Sequence, residues 1–225
     1  KDYLRGCKRI FGIELNFNFY IFAILLFSLI LSTYNITNRG IWEWDEGDYL
    51  YCSYLFLEGD IRKIGCGFKF IHNFINSVFF LIFGVHDYVG FFSSALFGVL
   101  TVYLVYLIGR ELFSERIGLI SALILAVTEY FIYFSRSVLA ESHLMFFITL
   151  TMLVYIHNLH KFSIKTQALV GFLIGICYLT KNTGALLLPI IIITEIIFFF
   201  MKKQDFRVTL KRIFIIAIIS STMIL

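Results

Sequence analysis

The 225-residue chain holds one proline, Pro189, and only 15% of its residues are charged. No internal repeat, low-complexity tract or polar linker divides it, and no stretch is polar enough to form a soluble domain, which excludes a multidomain soluble protein. Its four cysteines (Cys7, Cys52, Cys66 and Cys177) show no Cys-x-x-Cys or Cys/His spacing suited to a metal. Only Cys52 and Cys66 share a predicted loop, where a disulfide competes with the simpler reading of two unpaired small apolar residues.

What the chain has instead is oil. Hydrophobic residues make up 60% of it, 27 residues are Phe, and the mean hydropathy is +0.87. No ordinary soluble core needs this much, so the composition specifies a polytopic membrane protein. The net charge of +4 sits between apolar runs as an orientation signal, and nucleic-acid binding is excluded. No small-residue cleavage pattern follows the first apolar run, which is expected to stay as a membrane helix. The chain starts on Lys1 and stops inside the apolar run "SSTMIL", so a fragment of a longer protein is expected, with the absent part C-terminal.

A bilayer core takes roughly 20 apolar residues as helix. By that measure seven spans are expected, at 17–36, 88–109, 117–134, 142–157, 167–180, 184–200 and 212–225, forming one transmembrane unit over 1–225. With the N-terminus in the cytoplasm, the inner segments and the start of the last helix carry thirteen Lys/Arg. The outer segments carry six: Arg39, Arg62, Lys63, Lys69, Arg136 and Lys181. That bias satisfies the positive-inside rule. It places a long first loop, 37–87, on the outer face, with two segments read as helices in the membrane interface, "DEGDYLYCSYLFLEGD" and "FKFIHNFINSVFFLIFG". The second could also be re-entrant.

Charge at membrane depth costs about 2.5–3.5 kcal/mol per residue, so the polar residues mark sites to examine. Asp45, Glu46, Asp48 and Lys69 fall in the first outer loop, Arg136 and Glu141 between the third and fourth spans, and Lys181 between the fifth and sixth. Lys and Arg suit phosphate, and an Asp beside a Glu suits proton abstraction from a hydroxyl. Together they fit group transfer from a lipid phosphate at the outer face. The competing reading is a solvated acidic loop with a snorkelling Arg136/Glu141 pair. His72, His86 and His143 lie on the same side without ligand spacing, and Glu195 inside the sixth span is expected to pair with another helix.

These motifs resemble the GT-C glycosyltransferases that use polyprenyl-phosphate sugars, in the branch of protein O-mannosyltransferases and lipid A aminoarabinose transferases. "WDEGDYLYCSYLFLEGD" is similar to that family's first-loop acidic pair and small helix. "GRELFSERIGL", the Arg136 to Glu141 segment and "GFLIGICYLTKNTGALLLP" follow in the family's order. The resemblance implies an all-α, multi-pass GT-C helix bundle with its active site on the extracytoplasmic face of the cell membrane. It implies inverting sugar transfer from a polyprenyl-phosphate sugar to a protein or glycolipid hydroxyl. One of Asp45 and Glu46, with Asp45 preferred, would be the base, Arg136, Lys181 and Lys69 would hold the leaving phosphate, and Glu141 would orient Arg136 or touch the sugar or acceptor. Glu43 and Asp48 read as solvated neighbours. The resemblance assigns no cofactor, and divalent metal dependence stays open. A glycolipid- or glycan-building GT-C enzyme of another branch would differ in acceptor rather than architecture, a flippase or transporter would instead carry its polar residues near mid-membrane on broken helices, and in a non-catalytic scaffold the acids and bases need not converge.

Overall fold

The computed structural model describes residues 9, 10, 13, 14, 17–60, 69–159, 162–201 and 205–224. Apart from a two-residue antiparallel pairing of Arg9–Ile10 with Ile13–Glu14, the described chain is helical. The helices are α1 (Phe17–Thr33), α2 (Trp44–Leu57), α3 (Phe70–Phe83), α4 (Asp87–Leu112) and α5 (Glu115–Val127). There follow α6 (Glu129–Ser135), α7 (Ala140–His157), α8 (Ile164–Thr180), α9 (Leu187–Phe200) and α10 (Phe206–Ile224). Short 3-10 turns at Ile36–Asn38 and Asn182–Leu186 follow α1 and precede α9.

This is an all-α membrane protein. Among the described residues, four helical segments are long and apolar enough to cross a bilayer by themselves: Phe17–Asn38, Asp87–Leu112, Ala140–His157 and Asn182–Phe200. A fifth is the pair α5 and α6, expected as one span but bent by 69° at Thr128. Neither Pro nor Gly causes the break. The Thr128 backbone is extended (φ −70°, ψ 122°), its hydroxyl donates to Ile124 O, and its own carbonyl starts α6 by accepting from Ile132 N.

The usual distribution of polarity is inverted. Phe19, Phe22, Leu81, Ile82, Ile124 and Phe200 are exposed, while Ser93, Ser94, Thr101, Ser135, Ser142 and Thr151 are buried. Lipid gives helices no hydrophobic reason to associate, so small residues that permit close backbone approach take over. Gly109 on α4 meets Gly118 on α5 so closely that a Cβ on Gly109 would stand 2.7 Å from the Gly118 Cα. Gly109→Leu should therefore destabilise the bundle by about 3 kcal/mol. A lowered thermal midpoint in detergent would show it, and an unchanged midpoint would mean that this contact carries no weight.

α4 and α7 run parallel. At one end Ser142 Oγ donates to Ser94 O, and at the other His157 Nδ1 lies 3.0 Å from Glu111 Oε1. Near that second end Glu195 is fully buried and accepts from Tyr155 OH (2.9 Å) and Arg212 Nη1 (3.3 Å), tying α7, α9 and α10. A buried carboxylate with no partner would be costly, which is the reason for this clip. The residues singled out in the sequence gather at the first end.

Candidate functional site

α2 presents the acidic stretch. Its first turn holds Asp45 and Glu46 next to the helix N-terminus, where unsatisfied N–H groups favour negative charge. Consecutive helical residues diverge by about 100°, so the two carboxylates cannot share a surroundings. Asp45 is exposed and faces a cavity, whereas Glu46 is fully buried.

Glu46 is saturated. Arg39 reaches it with Nη1 at 3.1 Å and Nη2 at 2.9 Å, and the backbone N–H groups of Trp42 (2.9 Å), Glu43 (3.3 Å) and Val138 (3.3 Å) also donate to it. Burial works to raise its pKa, but the Arg39 hydrogen bond and the backbone N–H groups outweigh it and hold the carboxyl below the usual glutamate range. Arg39 itself is sandwiched by Trp42 and Phe91, its guanidinium carbon 4.9 and 4.5 Å from their ring centres, and donates to Ser137 Oγ at 3.2 Å. The pair welds α2 to α4 and to the turn before α7.

The cavity beside Asp45 has a volume of about 340 Å³, within the range of small-molecule sites. Asp45, Glu43, Tyr49, Tyr133, Glu141 and Lys181 contribute its polar lining. Lys181, extended after the end of α8, pairs with Glu141 in the first turn of α7. Tyr133 OH donates to Glu43 Oε1 at 2.7 Å, and Tyr49 OH donates to Asp45 Oδ2 at 3.4 Å. Lys69 stands behind Tyr49, its ammonium 4.5 Å from the ring centre. Burial, then Lys181, lowers the Lys69 pKa against the opposing pull of Asp45 and Glu141. The break at Thr128 matters here, because the tilted α6 delivers Tyr133 and Phe134 to the same cavity.

Three connections therefore do converge, but with a different cast. Asp45, Glu141 and Lys181 share the cavity and Lys69 borders it. Arg136 does not line it: Nη1 and Nη2 donate to Leu31 O and Tyr34 O, both at 2.7 Å, and so satisfy carbonyls at the C-terminal end of α1. Burial, then Arg39, lowers the Arg136 pKa. Glu43 lines the cavity instead of facing only solvent, while Glu129 is exposed at the start of α6. Glu43 and Tyr133 are 90 residues apart, and no local signal announces their contact.

No group of three His, Cys, Asp or Glu suited to a metal occurs among the described residues. Cys52 is disulfide-bonded, while Cys66 lies outside the described residues. A second cavity of about 430 Å³ opens at the opposite end between α4, α7 and α8, where Arg110 and the Glu111/His157 pair rim an aliphatic floor. It places no carboxylate beside a lysine.

Residues 70–225 match the family described as dolichyl-phosphate-mannose-protein mannosyltransferase. The match begins at α3, so Asp45 precedes it. The chain is also 29% identical over 211 residues to an undecaprenyl phosphate-alpha-4-amino-4-deoxy-L-arabinose arabinosyl transferase of Wigglesworthia glossinidia brevipalpis, covering 86% of this chain and 36% of that protein. With an uncharacterized protein of Aquifex aeolicus (strain VF5) it shares 27% identity over 177 residues, 76% of this chain and 41% of that one. The chain thus spans well under half the length of either relative.

Proposed function

The chain belongs to the dolichyl-phosphate-mannose-protein mannosyltransferase family, and from that premise we propose that it moves a sugar from a polyprenyl-phosphate donor to an acceptor hydroxyl. The observation that carries this reading is a single cavity holding an exposed carboxylate, Asp45, opposite an ammonium, Lys181, on separate connections.

In the reaction the acceptor oxygen attacks the anomeric carbon and gives its proton to the Asp45 carboxylate. The bond from that carbon to the phosphate oxygen breaks, its electron pair leaves with the polyprenyl phosphate, and the anomeric configuration inverts. Lys181 and Lys69 offset the charge that grows on the phosphate, which is electrostatic stabilisation of the transition state. Glu141 holds Lys181 in place until the donor arrives. Arg136 and Glu46 position the walls and touch no reacting atom. Through the Lys/Arg bias, the cavity is assigned to the extracytoplasmic face and the N-terminus to the cytoplasm.

The lining also bears on the sugar. Glu43, Asp45 and Glu141 outnumber Lys181, an excess of negative charge that suits a sugar carrying an amine better than a neutral hexose.

Membranes containing the full-length protein, incubated with labelled undecaprenyl-phosphate 4-amino-4-deoxy-L-arabinose or dolichyl-phosphate mannose, test the proposal. Label should move from the polyprenyl fraction into protein or glycolipid, faster from the amino-sugar donor. Retention of label in both donors would end the reading, and preference for mannose would overturn the choice of sugar. Lys181→Met should lower kcat/KM for the donor about 100-fold, and an unchanged value would remove Lys181 from the phosphate.

A further inference from the structure

α3 is built inside out. His72, Asn73, Asn76, Ser77 and Phe80 form its buried stripe, and Phe70, Phe74, Val78, Leu81, Ile82 and Phe83 are exposed. At 14 residues it extends about 21 Å, too short to cross a bilayer core of about 30 Å. Lipid cannot grip its apolar face in any one orientation, so the polar stripe must fix where α3 sits.

At the centre of that stripe is a pair of fully buried histidines. His72 Nδ1 lies 3.0 Å from His143 Nδ1 on α7, Asn76 Nδ2 lies 3.1 Å from His72 Nε2, and His143 Nε2 lies 3.1 Å from Ser93 Oγ on α4. Every ring nitrogen of the pair has a polar side-chain partner within 3.1 Å, and His72 also shares a hydrogen bond with the Val138 backbone. Two imidazoles buried among apolar helices would be costly without these bonds, and two aliphatic side chains would fill the space without them. What the pair adds is a fixed direction and distance between α3 and α7.

Both ends of that link lead to the cavity. Lys69 is one helical turn before His72, and Glu141 is two residues before His143. The Tyr49 ring stands edge-on against His72, centres 5.3 Å apart, while receiving the Lys69 ammonium on its face and bonding Asp45 through its hydroxyl. We propose that the His72–His143 hydrogen bond is the positioning device of the site: it sets Lys69 and Tyr49 against Glu141 and Lys181, so that the donor phosphate meets both ammonium groups together. The inference rests on the glycosyltransferase reading.

The test uses the full-length protein in native membranes with labelled undecaprenyl-phosphate 4-amino-4-deoxy-L-arabinose, with rates expressed per folded molecule. His72→Leu and His143→Leu should each lower kcat about 100-fold, the scale of an ångström-sized misplacement, and raise the donor KM. His72→Asn, whose side-chain amide falls where Nδ1 was, should recover most of that loss. In a Lys69→Met background His72→Leu should raise the donor KM no further, because it acts through Lys69. A solely structural role would lower the amount of folded protein and leave KM alone. Wild-type kinetics in both leucine variants, or full additivity with Lys69→Met, would overturn the inference while leaving the reaction standing. Absence of transfer by the wild type would overturn the reaction, and the inference with it.

Discussion

Asp45→Asn should reduce sugar transfer about 1,000-fold while the protein still folds and still retains its polyprenyl-phosphate donor. The carboxylate is exposed, its one side-chain hydrogen-bond partner among the described residues is the Tyr49 hydroxyl at 3.4 Å, and it lines the cavity. An amide of the same shape keeps the packing and the Tyr49 contact but cannot take a proton from the attacking hydroxyl. General-base catalysis contributes about 10²–10⁴-fold, and 1,000-fold corresponds to about 4 kcal/mol of transition-state stabilisation. Initial rates of label transfer in membranes, normalised to folded protein, measure it. Full activity in this variant would remove Asp45 as the base and would leave Glu43 and Glu141 as the other carboxylates of the cavity.

The neighbouring residue should behave in the opposite way. Glu46→Gln is expected to damage the fold before it damages the chemistry, because Glu46 is the acceptor for Arg39 and for three backbone N–H groups. Gln replaces an acceptor oxygen by an NH₂ that faces those donors, and it strands a guanidinium that is 4% exposed. Breaking a buried ion pair on one side costs about 3–5 kcal/mol. In a protein of this size that lowers the thermal midpoint by about 10 °C. The double variant Arg39→Met/Glu46→Leu should recover much of the loss, since no buried charge remains. The wild-type contribution depends on pH in a defined direction. The folded pKa is depressed, so the stability is complete above the ordinary glutamate range and is lost as pH falls through the lowered value. A Glu46→Gln variant with wild-type stability and no activity would instead make Glu46 the base.

Asp45 and Glu46 show where sequence reasoning stops. Adjacent acids in an outer loop read alike, and their spacing gives no basis for choosing between them. The choice depends on which side of α2 turns toward Arg39 and Val138, and Val138 is 92 residues away. Arg136 illustrates the same limit: a basic residue at a helix boundary suits a phosphate or a helix C-terminus equally well, and here two carbonyls of the α1 end take both arms of its guanidinium. Lys181 and Glu141 were legible because each sits at a helix end beside a connection, where a charge can reach a cavity rim without crossing lipid. Glu195 was legible in kind, since a carboxylate inside an apolar helix must find a cation, but its partner Arg212 emerged only when α9 and α10 were packed together.

The sequence by itself determined that this is an all-α bundle of apolar helices and which connections carry charge. Those are properties of composition and local periodicity, and a bilayer enforces them residue by residue. Only the tertiary structure decided that Asp45 meets Lys181 across a cavity, that Glu46 and Arg136 are committed to the walls, and that His72 and His143 join α3 to α7. These contacts pair residues that are distant along the chain, and their geometry is set by helix rotation and by the break at Thr128, neither of which any single stretch of sequence contains.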